Sequence, residues 1–405
     1  MQFPASPPAM TSYTQSEREL DNEMLLDAER LPEAICAPTS SSHGTSRFVD
    51  MSKSPYVSFV TYGRNDGYTA SYTRRVNRAL VCLARQLESA RLDSEIIFTE
   101  WNPPIDRPLL LDSLQLPNYL EHVSIRGVVV GPEHHKKLAG SDERNIQVGE
   151  AANVGIRRAR GRFITAKASD TFFSPDVIAM IAQKNLDIDT MYRVDRHDIS
   201  ISDDLIWELD DDTLLAKLAS MPSRPHALIR QKSYWGLRNL HTNACGDFTL
   251  MSDAHWHLLR GHPKDPTVLS LDLDSLVMHA AAANGVRECR WPESCRLYKP
   301  SHRSISTSRV KQVWRPWQRY LDRFLADKVS EVTAHHVRTL FDYPRRRVVG
   351  VDSILGPSFE RNLVRPARRW AMGQRQIPTQ PENWGLADMP LEQRTLCRAS
   401  WEIVA

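Results

Sequence analysis

The chain has no run of about 18 apolar residues, the minimum for a membrane-spanning helix. Its first residues, Met1-Gln2-Phe3-Pro4-Ala5-Ser6-Pro7-Pro8, do not place a basic segment before an apolar one. Neither a transmembrane segment nor a secretory leader is expected, and the sequence predicts a soluble, cytoplasmic protein. The six cysteines, Cys36, Cys82, Cys245, Cys289, Cys295 and Cys397, include no CxxC pair, which argues against a zinc or redox motif and for a reducing compartment. The formal charge of +3 is too small for a polyelectrolyte binder, so no nucleic-acid partner is expected. GxxxxGK[ST] is absent and Gly63-Arg64-Asn65-Asp66-Gly67 is not GxGxxG, which removes support for ATP-loop and dinucleotide readings. There is no internal repeat.

What is present is an ordinary globular composition, 41% hydrophobic and 25% charged over 405 residues, enough chain for one large domain with extensions or for two modest ones. Residues 1–54 are rich in Ser, Thr, Pro and acids and are expected to be a disordered N-terminal extension. A domain over 55–305 follows, then a helical, basic extension over 306–405 that includes helices at 310–325 and 331–340.

Within 55–305 the pattern alternates strand and helix. Tyr56 to Tyr62 is β-branched and aromatic, and Gly63-Arg64-Asn65-Asp66-Gly67 breaks it. Val76, Leu80, Leu83 and Leu87 then recur at helical spacing. Glu95 to Thr99 is a second strand and Gly127 to Val130 the end of a third. A helix over 146–159 leads through Gly161 into a short strand at Phe163 to Ala166, and Ser174-Pro175-Asp176 opens another helix. Further strands are expected at 190–194 and 248–251, a helix capped by Ser252, and a helix over 272–283 that stops at Asn284-Gly285. This order predicts an α/β fold with a mostly parallel central sheet flanked by helices.

The stretch Asn153-Val154-Gly155 through Ala159-Arg160-Gly161-Arg162-Phe163-Ile164, followed by the acidic loop Ala168-Ser169-Asp170, resembles the centre of the family 2-type glycosyltransferases, with their glycosyltransferase A fold. The resemblance implies roles for particular residues. Ser169 and Asp170 match the strand-end loop that holds the donor diphosphate and its metal, with Ala168 where the family has a first acid. Asp66 and Glu100, at successive strand exits, match the positions that hold the nucleoside. Asp247 corresponds to a donor-sugar contact. Asp272, at the start of a helix, matches the catalytic carboxylate, with Leu271 in place of a preceding acid. His302 is the candidate second ligand, with Asp170, for Mn2+ or Mg2+.

The implied activity is transfer of a sugar from a nucleotide-diphospho-sugar to an acceptor hydroxyl, with inversion. The acceptor class, whether glycan, lipid or small molecule, is not specified by the sequence. Two other readings stay open: a non-catalytic nucleotide- or glycan-binding module on the same fold, and a sugar-phosphate nucleotidyltransferase.

Overall fold

The computed structural model describes residues 54–67, 71–138, 145–225, 240, 245–262, 273–300 and 380–403. The chain order begins β1 (Val57–Gly63), α1 (Tyr72–Ser89), β2 (Ser94–Trp101), β3 (Val123–Val130), α2 (Pro132–His135), α3 (Val148–Arg158), β4 (Phe163–Ala166), β5 (Phe172–Phe173) and α4 (Pro175–Ala182). It continues with β6 (Thr190–Arg193), β7 (Asp195–Ile199), α5 (Asp203–Glu208), α6 (Asp211–Ser220), β8 (Arg224–Pro225), β9 (Thr249–Ser252) and α7 (Asp253–Leu259). Last come α8 (Leu273–Ala283), β10 (Arg287–Arg290), β11 (Arg296–Pro300), β12 (Glu392–Cys397) and α9 (Ser400–Ile403). The expected strand Phe163 to Ala166 and the cap at Ser252, whose side chain accepts from His255 N, are both present.

Among the described residues the central sheet has the order β10-β6-β9-β4-β1-β2-β3-β12. Only β9 and β12 run against the other strands, so the sheet is mostly parallel. Almost every residue of β1 and β2 is buried, as expected of parallel strands covered on both faces. One face carries the cluster of Phe59, Leu80, Leu83, Phe98 and Phe173, and the other that of Val60, Ile97, Ile156, Ile164 and Trp256. A second, four-stranded sheet has the order β5-β11-β7-β8.

The residues that carry the family resemblance do structural work. A Cβ at Gly155 would lie 2.4 Å from Val60 Cγ1, so its absence lets α3 settle onto β1. A Cβ at Gly161 would lie 2.6 Å from Ser58 N and 2.7 Å from Val57 C, where the α3–β4 turn crosses the β1 backbone. Asn153 forms a two-way pair with the backbone of His262, its side-chain amide donating to the carbonyl at 3.1 Å and its oxygen accepting from the N–H at 2.7 Å. Beneath this turn the fully buried Glu95 accepts from Ser58 Oγ at 2.7 Å, Arg126 Nη2 at 2.8 Å and Arg160 Nε at 3.0 Å. Burial alone would raise the Glu95 carboxyl, but Arg126 and Arg160 outweigh it and hold it below its ordinary pKa.

The sequence pattern predicts a helical extension over 306–405. Of that span 380–403 is described, and besides the short helix α9 it supplies an edge strand: β12 lies antiparallel to β3, with Arg394 opposite Gly127. Glu392-Gln393-Arg394-Thr395 is polar because an edge strand has one side in water, and that polarity hid it from a search for apolar strands. The helices expected at 310–325 and 331–340, and residues 1–53 of the N-terminal extension, lie outside the described residues. No helix among the described residues is long and apolar enough to cross a membrane. Cys82, Cys245, Cys295 and Cys397 are free and buried, whereas Cys289 is disulfide-bonded, which departs from the expectation of a chain with only reduced cysteines.

Candidate active site

Strand order fixes where a ligand crevice can form. From β1 the chain builds β2 and then β3 on one side, and returns to place β4 on the other. The exits of β1 and β4 therefore diverge, and in open α/β sheets ligands bind in the crevice this reversal leaves at the carboxyl ends of the strands. The loops that meet there are 64–67 after β1, 167–171 after β4, and the turn Cys245-Gly246-Asp247 that leads into β9.

The second sheet closes one wall of the crevice. β5, which starts two residues after Asp170, pairs antiparallel with β11 so that Phe172 lies opposite Tyr298. That register brings Lys299 of β11 beside Asp170, while the parallel pairing of β11 with β7 sets Arg196 opposite Leu297. Asp247 approaches from the central sheet, just ahead of the β9–β4 pairing. The result is a chain of seven charges in the order Asp203, Arg75, Asp170, Lys299, Asp247, Arg196, Asp198, with Asp203 3.2 Å from Arg75 Nη1 and Asp198 3.1 Å from Arg196 Nε. Lys299 Nζ lies 3.3 Å from Asp170 Oδ1 and 3.5 Å from Asp247 Oδ1. Arg75 Nε faces the other Asp170 oxygen at 3.8 Å, and Arg196 Nη1 donates to the other Asp247 oxygen. Each of these four carboxylate oxygens thus faces a cation.

Burial and charge act together on these groups. Burial would raise the Asp247 carboxyl, but Lys299 and Arg196 outweigh it and keep its pKa below the ordinary value. Burial would lower the Lys299 ammonium, yet Asp170 and Asp247 raise it above its usual range. Lys167, directly after β4, behaves in the opposite way. It is wholly buried, its ammonium donates to the Ala168 carbonyl at 2.6 Å, and among the described residues no carboxylate pairs with it directly. Burial lowers its pKa to about 7, with Asp170 and Asp247 opposing and Lys299 assisting. Both tyrosines at the site, Tyr62 and Tyr72, have phenols held protonated by burial and by nearby carboxylates.

A second group gathers at the exits of β1 and β2. Arg64 Nε lies 3.5 Å from Asp66, and its guanidinium donates to the Asn145 carbonyl at 2.8 Å. Glu100 lies close enough to act on the Arg64 charge. Its carboxylate accepts from the backbone N–H of Leu110 and of Leu111, at 2.5 and 3.0 Å, and so pins the loop after β2. Burial raises the Glu100 carboxyl. Tyr72 links the two groups. Its hydroxyl is 2.8 Å from Ser169 Oγ, and both Asp170 and Asp66 act on it. A Cβ on Gly63 would lie 2.7 Å from the Tyr72 hydroxyl, so this close passage depends on the glycine.

The structure thus brings Ser169, Asp170 and Asp247 into one cluster and Asp66 and Glu100 into an adjoining one. Asp272 and His302 lie outside the described residues. Asp274, two positions beyond Asp272, accepts from Gly246 N at 2.7 Å and so borders the cluster. Sequence reasoning missed Arg75, Lys167, Arg196 and Lys299. A lysine closing the buried strand Phe163-Ile164-Thr165-Ala166, and the clustered charges of Asp195-Arg196-His197-Asp198, were the available signals. Among the described residues no group of three or more His, Cys, Asp or Glu side chains is arranged to hold a metal ion. Lys299 Nζ stands between Asp170 and Asp247, so these two carboxylates do not together offer Mn2+ or Mg2+ the oxygen ligands at roughly 2.0–2.2 Å that it needs, and His302, the ligand expected beside Asp170, lies outside the described residues.

No protein-family model and no curated protein matches the chain. Among solved structures it is similar to residues 1–349 of S. aureus TarS in complex with UDP, at 12% identity and a TM-score of 0.37, covering 78% of this chain and 80% of that one. It is also similar to the mannosyltransferase PcManGT from Pyrobaculum calidifontis in complex with GDP-Man and Mn2+, at 13% identity and a TM-score of 0.38, covering 89% of this chain and 92% of that one. Likenesses at these TM-scores carry no assignment of function.

Proposed function

We propose that the chain is a glycosyltransferase that moves a sugar from a nucleotide-diphospho-sugar to an acceptor hydroxyl with inversion. The observation that supports this reading is the buried charge chain at the β1/β4 switch point, adjoined by the Arg64, Asp66 and Glu100 group. A diphosphate needs concentrated positive charge held away from bulk water. Here Arg75, Lys299 and Arg196 gather three positive charges in one cluster, with Asp170 and Asp247 between them and Asp203 and Asp198 at its outer ends, and Lys167 can add a fourth by taking up a proton. A nucleoside needs an acidic hydrogen-bond acceptor beside a formed pocket wall. Asp66 supplies the first, and Glu100 holds the loop that forms the second.

In the proposed reaction the acceptor oxygen attacks the anomeric carbon as the bond from that carbon to the β-phosphate oxygen breaks. The acceptor proton passes to the Asp272 carboxylate, and the diphosphate leaves with the bonding electron pair toward Lys299. The role of Asp272 rests on the sequence resemblance, and Asp247 would orient the donor sugar. A single displacement of this kind inverts the anomeric centre.

The test is thermal stability against a panel of nucleoside diphosphates and nucleotide-sugars, followed by assay of the released product. Ligand at a hundredfold excess over its dissociation constant should add about 2.7 kcal/mol. A shift by one nucleotide class that is lost in Asp247→Asn, with release of free nucleoside diphosphate, is the expected outcome. Release of pyrophosphate would indicate a nucleotidyltransferase, and binding without turnover a non-catalytic module. A folded protein that responds to no nucleotide would sink the reading.

A further inference from the structure

We infer that Lys299 stands in the place of a divalent cation, so that the site takes a nucleoside diphosphate without metal. The inference rests on the proposed nucleotide-sugar reading and deepens it. Its basis is the position of one atom. Lys299 Nζ lies between two carboxylates from different loops, 3.3 Å from Asp170 and 3.5 Å from Asp247. These are the two carboxylates that the loop after β4 and the turn before β9 bring together. The remaining oxygens of both face Arg75 and Arg196. A metal could enter only by displacing an ammonium held by two buried carboxylates, and it would then sit between two guanidinium groups.

The arrangement also leaves one cation within reach of an anion. The Lys299 side chain retains 21% of its accessible surface, whereas those of Asp170 and Asp247 retain 5% and 8%. At the centre of the chain the ammonium is therefore the group a ligand can reach, and the two carboxylates that hold it lie behind. Arg75 and Arg196 are each shared with an outer carboxylate, Asp203 and Asp198, so the charge-assisted contact to a diphosphate oxygen falls to Lys299.

The test uses the full chain and two readouts. Calorimetry of UDP and GDP binding is run in EDTA and again with Mn2+, and Mn2+ binding is followed separately by electron paramagnetic resonance without nucleotide. The expected result is that one nucleotide binds in EDTA with an affinity within about twofold of that in Mn2+, and that the wild type takes up no Mn2+. Lys299→Ala should weaken binding in EDTA by tenfold or more and, by vacating the space between Asp170 and Asp247, should gain a Mn2+ site. Nucleotide binding that requires Mn2+, or Mn2+ bound by the wild type at micromolar concentration, would overturn the inference and leave the transferase reading in place. Failure of both nucleotides to bind under either condition would remove that reading and the inference with it. The wild-type measurements decide the matter even if Lys299→Ala does not fold.

Discussion

Lys167→Met isolates the consequence of a buried lysine that, among the described residues, has no carboxylate in direct contact. Methionine keeps the volume of the side chain and removes its charge. In the unfolded chain the lysine holds its proton up to about pH 10.5, whereas in the fold it releases it at about 7. Between these values the unfolded state binds the extra proton, so the wild type gains stability as pH rises through this window and loses it as pH falls toward 7. Each pH unit is worth about 1.4 kcal/mol, which makes the buried ammonium a burden of roughly 5 kcal/mol at and below pH 7, as an upper bound. Methionine escapes that burden but leaves the Ala168 carbonyl without its donor, at a cost of about 1–3 kcal/mol. The variant should therefore be more stable than the wild type at pH 6, by a few kcal/mol, and less stable at pH 10, with the order reversing near roughly pH 9. Urea denaturation of both proteins at intervals from pH 6 to 10 measures the difference. A difference that stays constant across that range would refute the reasoning, because it would mean that Lys167 titrates alike in the folded and unfolded states.

Gly161→Ala should cost about 2 kcal/mol or more in denaturant unfolding, since its Cβ would press on β1 backbone atoms that have no freedom to yield. Gly246→Ala is the contrast. Its Cβ would press on the Asp274 side chain, 2.7 Å from Oδ2 and 3.4 Å from Cβ, and on no backbone atom among its nearest neighbours, so the cost should be about 1 kcal/mol, the worth of the Gly246 N–H to Asp274 hydrogen bond it disturbs, and an equal loss in both variants would contradict the geometry. Glu95→Gln should lose about 3 kcal/mol at pH 7, because Arg126 and Arg160 would face an uncharged partner. The Glu95 carboxyl is depressed in the fold, so its contribution is present above about pH 4.5 and disappears as pH falls through the folded value. The wild type and Glu95→Gln unfolding curves should accordingly converge in acid, and a gap that persists at pH 2 would argue for a packing effect instead.

The parts of this architecture that are written locally were legible in the sequence. Phe163 to Ala166 is buried throughout, three of its four residues being apolar, because β4 is covered on both faces, and Gly285 ends α8 in a left-handed conformation that few residues other than glycine adopt readily. The loops at the exits of β1, β2 and β4 could be located from such signals, and with them Asp66, Glu100 and Asp170. What could not be read was the company these residues keep. Lys299 reaches Asp170 only because β5 pairs with β11, a register set by backbone hydrogen bonds between distant segments, and no spacing in the sequence encodes it. Arg75 looked like one more polar position on an amphipathic helix, although it is almost fully buried. The edge strand β12 escaped for a related reason, since its polar residues answer to water and leave no apolar signature.

The pairing of β12 with β3 has a consequence for biosynthesis. Arg126 and Gln393, which meet across that edge, are 267 positions apart. At synthesis rates of roughly 5–20 residues per second, β3 waits on the order of tens of seconds on the ribosome before its neighbour is made. During that interval the nascent sheet carries an open edge of unsatisfied backbone donors and acceptors next to apolar residues, the kind of surface that chaperones shield. The domain can assemble its switch point early but cannot close its far side until β12 has been translated. A ribosome stalled before Glu392 would hold a nascent chain with the site's described residues already made and the β3 edge still open to its neighbours.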